Sequence, residues 1–210
     1  MSVLAAAVCP MTPLLFRSLS GLADPLAELR EAAVAAVRDA TAGADEVVVL
    51  APVGGREAPG DWRDPSHSGP VHGEPRSLSE QVGRHLLALA GCPLPVTCVE
   101  VPGLVAAPQD AKVALLVLGD GAAARRDGAP GYIDERSFGY DDHVAALLGD
   151  GDGAGLTQLD EKLGAELLAT GRLSLPVLGS LMPRADAELR WRGDPLGLTY
   201  FVALWRARTP

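Results

Sequence analysis

Several side chains in this 210-residue chain are of types and spacings that do chemistry. Gly119-Asp120-Gly121 follows the aliphatic run Lys112 to Leu118. Open α/β sheets bind ligands at the carboxyl edge, where glycines let the backbone turn tightly beside a bound molecule. Asp120 there can hold a ligand or accept hydrogen bonds from nearby amides. A plain turn explains the same tripeptide, and without a following G-x-G-x-x-G it is no dinucleotide fingerprint. Arg125 and Arg126 carry forked donors suited to a carboxylate or phosphate, and equally suited to a solvated surface pair. Cys9, next to Pro10, is a thiolate nucleophile or soft metal ligand if accessible, and an inert thiol if buried. His67 and His72, with Glu74 nearby, are the residue types that bind zinc or iron. Their spacing in an irregular stretch fixes no geometry, so exposed loop histidines are the simpler reading. The candidate pocket is therefore Cys9, Pro10, Asp120, Arg125 and Arg126, with His67 and His72 as weaker metal candidates and no residue assigned to catalysis.

Other sequence features carry less. His85 and His143 fall in helical stretches, where surface or boundary positions are expected. Gly149 to Gly153 has the aspartates of a calcium loop in the wrong order and lacks the closing glutamate, so it reads as an interhelical turn. There is no G-x-S-x-G elbow, Walker loop, H-E-x-x-H or C-x-x-C motif.

The elements that must position these residues follow from periodicity. Val3 to Val8 is a short aliphatic strand ended by Cys9-Pro10, since proline cannot donate to a sheet ladder. Asp24 is expected to cap a helix with Pro25 in its first turn, and Leu26, Leu29, Ala33, Val34 and Val37 give that helix one apolar stripe up to Gly43. Glu46 to Leu50 is a β-branched strand covered on both faces, and strand–helix–strand implies parallel pairing. Ala51 to Arg76, rich in proline and glycine, reads as a long irregular loop of the kind that carries function. Ser77 and Glu80 form a capping box opening a helix to Leu89. Val96 to Val101 and Lys112 to Leu118 are further strands. Helices are expected at Tyr140 to Leu148, Gln158 to Ala169 and Leu173 to Leu181, the last with Pro176 in its first turn. Ala187 to Trp191 and Leu198 to Trp205, joined through Gly193-Asp194-Pro195, form an antiparallel hairpin at a sheet edge. The fold class is α/β: a three-layer αβα sandwich with a mixed, mostly parallel central sheet, as a single domain over residues 1–210.

Composition narrows the function classes. Eighteen lysines and arginines against 27 aspartates and glutamates give a net charge of −9. This argues against nucleic acid as a partner, as does an aromatic content of 4%. No apolar run reaches membrane-spanning length, and the opening lacks a signal peptide's basic region, so no membrane partner is expected. Three cysteines, an odd number with no disulfide framework, favour a reducing, cytoplasmic setting. The expected partner is a small molecule, and the sequence carries no signal of an oligomeric state.

Four segments together carry a resemblance: Val8-Cys9-Pro10-Met11-Thr12-Pro13-Leu14-Leu15, Leu118 to Gly121, Ala129-Pro130-Gly131-Tyr132, and Pro195 to Ala203. In their order along nearly the whole chain they resemble the actinobacterial LigB-like branch of the class III extradiol dioxygenase superfamily. The resemblance implies a single αβα domain. In active members it implies non-haem Fe(II), held by two histidines and a glutamate, that binds a catecholate and O2 for ring opening, with a further histidine as acid/base. At the matching positions this chain has Cys9-Pro10 for the first ligand and Pro52 to Gly55, without histidine, for the second. Arg125 and Arg126 stand nearest the acid/base position, and no acid occurs between Gly171 and Pro176. A facial triad needs those groups converging on one ion. The expectation is a divergent member with altered chemistry that binds a small anionic or aromatic ligand; the alternative is a catalytically inert binding or scaffold protein on the same fold.

Overall fold

The computed structural model describes residues 2–53, 77–103 and 111–208. Six strands, β1 (Ser2–Cys9), β2 (Glu46–Pro52), β3 (Val96–Val101), β4 (Lys112–Leu118), β5 (Ala185–Gly193) and β6 (Tyr200–Ala207), form one sheet in the order β3-β2-β4-β1-β6-β5. β3, β2, β4 and β1 run parallel, while β6 lies antiparallel to both β1 and β5. The sheet is mixed and mostly parallel, as the strand–helix–strand order implies.

Because side chains alternate across a strand, each central strand feeds two separate cores. Ala7, Val49, Leu116 and Leu204 lie on one face beneath α1 (Ala27–Thr41) and α2 (Leu78–Leu89), which contribute Leu29, Ala33, Val82 and Leu86. Val8, Leu50, Val117 and Trp205 lie on the other, beneath α3 (Arg136–Asp150), α4 (Gly153–Leu156) and α6 (Gly171–Leu181), with α5 (Glu161–Glu166) packed against α6. The result is a three-layer α/β sandwich with an aliphatic core on both sides of the sheet.

Helix boundaries differ from the sequence reading where side chains find better partners. α1 begins at Ala27, because the Asp24 carboxylate is gripped by Arg30 at 2.8 Å through both oxygens and does not cap the helix. Gln158 to Ala169 holds only the short α5: the Asp160 side chain caps the Leu163 amide at 2.9 Å, and Leu168 takes φ 57° just after it. α6 begins at Gly171, placing Pro176 inside the helix rather than in its first turn. The capping box at Ser77 forms, with the Glu80 amide donating to the Ser77 hydroxyl at 3.3 Å. Of Gly149 to Gly153 only Gly151 and Asp152 form the interhelical turn, with Gly151 left-handed at the end of α3 and Asp152 capping α4.

Candidate functional site at the carboxyl edge of the sheet

β1 and β4 are parallel neighbours whose chains leave in opposite directions. β1 leads to α1 on one face, and β4 leads to α3 and α6 on the other. Such a divergence opens a crevice beyond the strand ends, the place where open α/β sheets bind ligands. The Gly119 amide donates to the Cys9 carbonyl at 3.0 Å, so pairing persists just past both strands. Continuing the Cys9–Leu118 register sets Asp120 level with Met11, and continuing the Val8–Ala203 register sets Tyr200 level with Met11 as well. Asp120, Met11 and Tyr200 thus form one row across three adjacent strands at the carboxyl edge.

Asp120 is fixed through its backbone. Its amide donates to the Thr170 hydroxyl at 2.8 Å, and its carbonyl accepts from the Gly171 amide at 2.9 Å. The Ser174 hydroxyl donates to the Leu118 carbonyl at 2.7 Å, so the first turn of α6 clamps the end of β4. The glycines around Asp120 are required by this closeness: a Cβ on Gly119 would stand 2.7 Å from the Gly171 Cα, and one on Gly121 would stand 2.7 Å from an Asp141 oxygen.

The carboxyl group itself is poorly provided for. Asp120 is 6% exposed, its Oδ1 accepts from the Met11 amide at 3.1 Å, and Oδ2 has no partner among the described residues. Unlike the sealed, unpartnered oxygens of Glu46 and Tyr140, Oδ2 keeps an open face. Burial pushes the Asp120 carboxyl up to about 7, with only the Met11 amide opposing. That displacement corresponds to a destabilisation of the carboxylate on the order of 4 kcal/mol. Tyr200 is pushed up to about 12, first by burial and then by the charge of Asp120, while the Thr12 hydroxyl beside it pulls the other way. The edge therefore presents an under-satisfied carboxyl with two buried hydroxyl groups, those of Thr12 and Tyr200.

The other residues singled out in the sequence are placed differently. Cys9 brings only its carbonyl to the edge, since its thiol is 0% exposed, points at the Ala33 carbonyl of α1 at 3.9 Å, and is pushed far up by burial. A thiol so placed is a small core side chain. Pro10 is buried beside it. Arg125 is committed elsewhere: its Nε donates to Asp194 at 2.8 Å, its Nη1 to Asp141 at 3.4 Å, and its guanidinium lies 4.3 Å over the Phe138 ring. Arg126 is exposed and donates to the Pro195 carbonyl at 3.3 Å. His67, His72 and Glu74 lie outside the described residues, His85 stacks on Phe16 at 4.2 Å, and His143 is exposed.

Sequence reasoning missed Thr12, Thr170 and Tyr200, whose roles depend on strand register, and Asp141. Asp141 is 0% exposed and accepts from the Thr199 hydroxyl at 2.6 Å and the Ala122 amide at 2.9 Å, holding the loop following Gly121 against the start of β6. The one available signal was the pairing of two hydroxyl residues, Thr199-Tyr200, at the head of an apolar strand.

The described donors at this edge do not fit a ferrous ion. Asp120 offers one carboxyl, the Cys9 sulfur faces α1, and no group of three or more His, Cys, Asp and Glu side chains among the described residues is arranged to hold a metal. Nor is any helix among them long and apolar enough to cross a membrane. No family model matches the chain, and no curated protein matches it.

Proposed function

We propose that this chain is a divergent LigB-like protein that binds a small molecule over Asp120 at the crevice between β1 and β4, without the ring-opening iron chemistry of active members. The observation that carries the reading is the buried Asp120 carboxyl, which has one oxygen bonded to the Met11 amide and the other open and unpartnered. Buried polar groups are normally satisfied, so an exception at a switch point is a place for a partner. Three of the four similar segments meet here, through the Met11 amide on Asp120 and the Gly121 amide on the Thr199 carbonyl at 2.8 Å. Altered chemistry is favoured because the donors among the described residues do not suit Fe(II).

Two measurements test this. Protein purified anaerobically under reducing conditions should hold iron well below one ion per chain; stoichiometric, tightly held iron would overturn the reading. A thermal-shift screen of small fragments of both charge signs and of neutral ones should give hits whose stabilisation is lost in Asp120→Asn. A screen without such hits would leave the chain as a scaffold on this fold and remove the ligand site.

A further inference from the structure

Resting on the reading of this edge as a ligand site, we infer that its ligand is an organic cation, presenting a protonated primary amine to Asp120 Oδ2 at the edge that also carries the hydroxyls of Thr12 and Tyr200.

The inference follows from what surrounds the carboxyl on each side. From the chain just past β1 come the Met11 amide, already spent on Oδ1, and the Thr12 hydroxyl; from β6 comes Tyr200, which burial keeps neutral. From α6 come Thr170 and Gly171, both bonded to the Asp120 backbone and not to its carboxylate. The positive end of the α6 dipole lies on this side, but it carries only about half a charge and falls off within a turn. No arginine or lysine among the described residues bonds Asp120. Arg125, close in sequence, is drawn off by Asp141 and Asp194.

A buried carboxylate without a counter-ion is costly, and a partner of opposite charge removes that cost while supplying a charge-assisted hydrogen bond. An ammonium group has three donors and no acceptor. The edge offers it Oδ2, which has no partner among the described residues, and the mutually bonded hydroxyls of Thr12 and Tyr200 are acceptors on the same edge. An anionic ligand meets the reverse situation. It would approach a carboxylate that no arginine or lysine among the described residues bonds, and the Nε and Nη1 of Arg125 are held by Asp194 and Asp141. The charge of Asp120 therefore selects for cations and against the carboxylates that Arg125 and Arg126 suggested.

Three probes of one shape and different charge test the inference: benzylammonium, benzyl alcohol and benzoate, titrated calorimetrically at pH 8 and fixed ionic strength. Benzylammonium should bind the full chain best. Its affinity should fall about 10- to 100-fold in Asp120→Asn, the range of a charge-assisted hydrogen bond, and fall measurably in Thr12→Val. It should stay unchanged in Asp127→Asn, which removes an exposed charge and so controls for general attraction to an acidic protein. Benzoate or benzyl alcohol binding more tightly, in an Asp120-dependent way, would overturn the cation while leaving the site in place. Absence of binding by all three, or benzylammonium binding indifferent to both Asp120→Asn and Thr12→Val, would overturn the inference and remove this support for the site.

Discussion

Asp120 Oδ1 accepts the Met11 amide at 3.1 Å, and this one bond links the chain just past β4 to the chain just past β1 across the carboxyl edge of the sheet. The two residues are far apart in sequence, and register alone makes them level. The same bond is all that opposes the burial of the Asp120 carboxyl. A residue this poorly compensated lowers the stability of the fold in which it sits, and that leaves a measurable pH signature.

For Asp120 the folded-state value is about 7 against an ordinary value of 3.8, so between these the native protein holds a proton that the unfolded chain has released. Stability therefore falls as pH rises through this window, and the penalty is complete above it and absent below about 4. Asp120→Asn, whose amide oxygen can still accept from Met11, should raise the melting temperature at pH 8 and leave it unchanged at pH 4. The gain at pH 8 has an upper bound on the order of 4 kcal/mol. Thermal melts of both proteins across pH 4 to 8 check it; a difference that does not vary with pH would mean this carboxyl does not titrate in the window.

Arg125 and Arg126, adjacent in sequence, should behave very differently. Asp141 is sealed from solvent, and Arg125, with a 13% exposed side chain, supplies its charged partner alongside Thr199 and the Ala122 amide. Removing one member of a buried pair strands the other. Because the Arg125–Asp141 contact is long at 3.4 Å and Asp141 keeps its other donors, Arg125→Ala is expected to cost about 2–3 kcal/mol rather than the full range for buried pairs. Arg126→Ala should stay within about 0.5 kcal/mol of the parent. Urea denaturation of the two variants decides it, and equal costs would show that Arg125 is no more than a surface residue.

These contrasts show what the sequence made legible. Unbroken apolar runs in Val47 to Leu50 and in Lys112 to Leu118 after its first residue revealed doubly covered parallel strands, because a strand buried on both faces must be apolar at every position. Gly119-Asp120-Gly121 was legible as an edge feature because glycines flank an acid directly after a buried apolar strand, and in the fold Gly119 does sit where the backbone of α6 approaches within contact distance. The partners of Asp120 were not legible. The Met11 amide reaches it, and Tyr200 comes level with it, through the pairing of β1 with β4 and with β6, and long-range register has no local periodicity. Likewise, nothing beside Arg125 in sequence announces Asp141 and Asp194, which occupy its guanidinium.

Cysteine reactivity separates the backbone role of Cys9 from any role for its thiol. Burial pushes that thiol far up, so little thiolate forms at neutral pH, and α1 covers it. Cys92 and Cys98 are half-buried. Alkylation of the native protein with iodoacetamide, followed by peptide mass spectrometry, should label Cys92 and Cys98 well before Cys9. Cys9 labelling first would place its sulfur at the edge rather than under α1.

Gly119 tests the clamp that fixes Asp120. An added methyl group would meet the Gly171 Cα at 2.7 Å and the Ser174 oxygen at 2.8 Å, and the first of these is backbone that cannot rotate away. To accept it, the first turn of α6 must lift from the end of β4, stretching the Ser174–Leu118 bond and the bonds from Asp120 to Thr170 and Gly171. Gly119→Ala should therefore cost about 1–3 kcal/mol. It should also speed amide exchange at Asp120 and Gly171 ahead of the amides of β6. Gly139→Ala, on the exposed side of α3 with open space around it, serves as the control and should be neutral or slightly stabilising. If Gly119→Ala proves as harmless as Gly139→Ala, the close approach of α6 to the end of β4 is not what holds Asp120 in place.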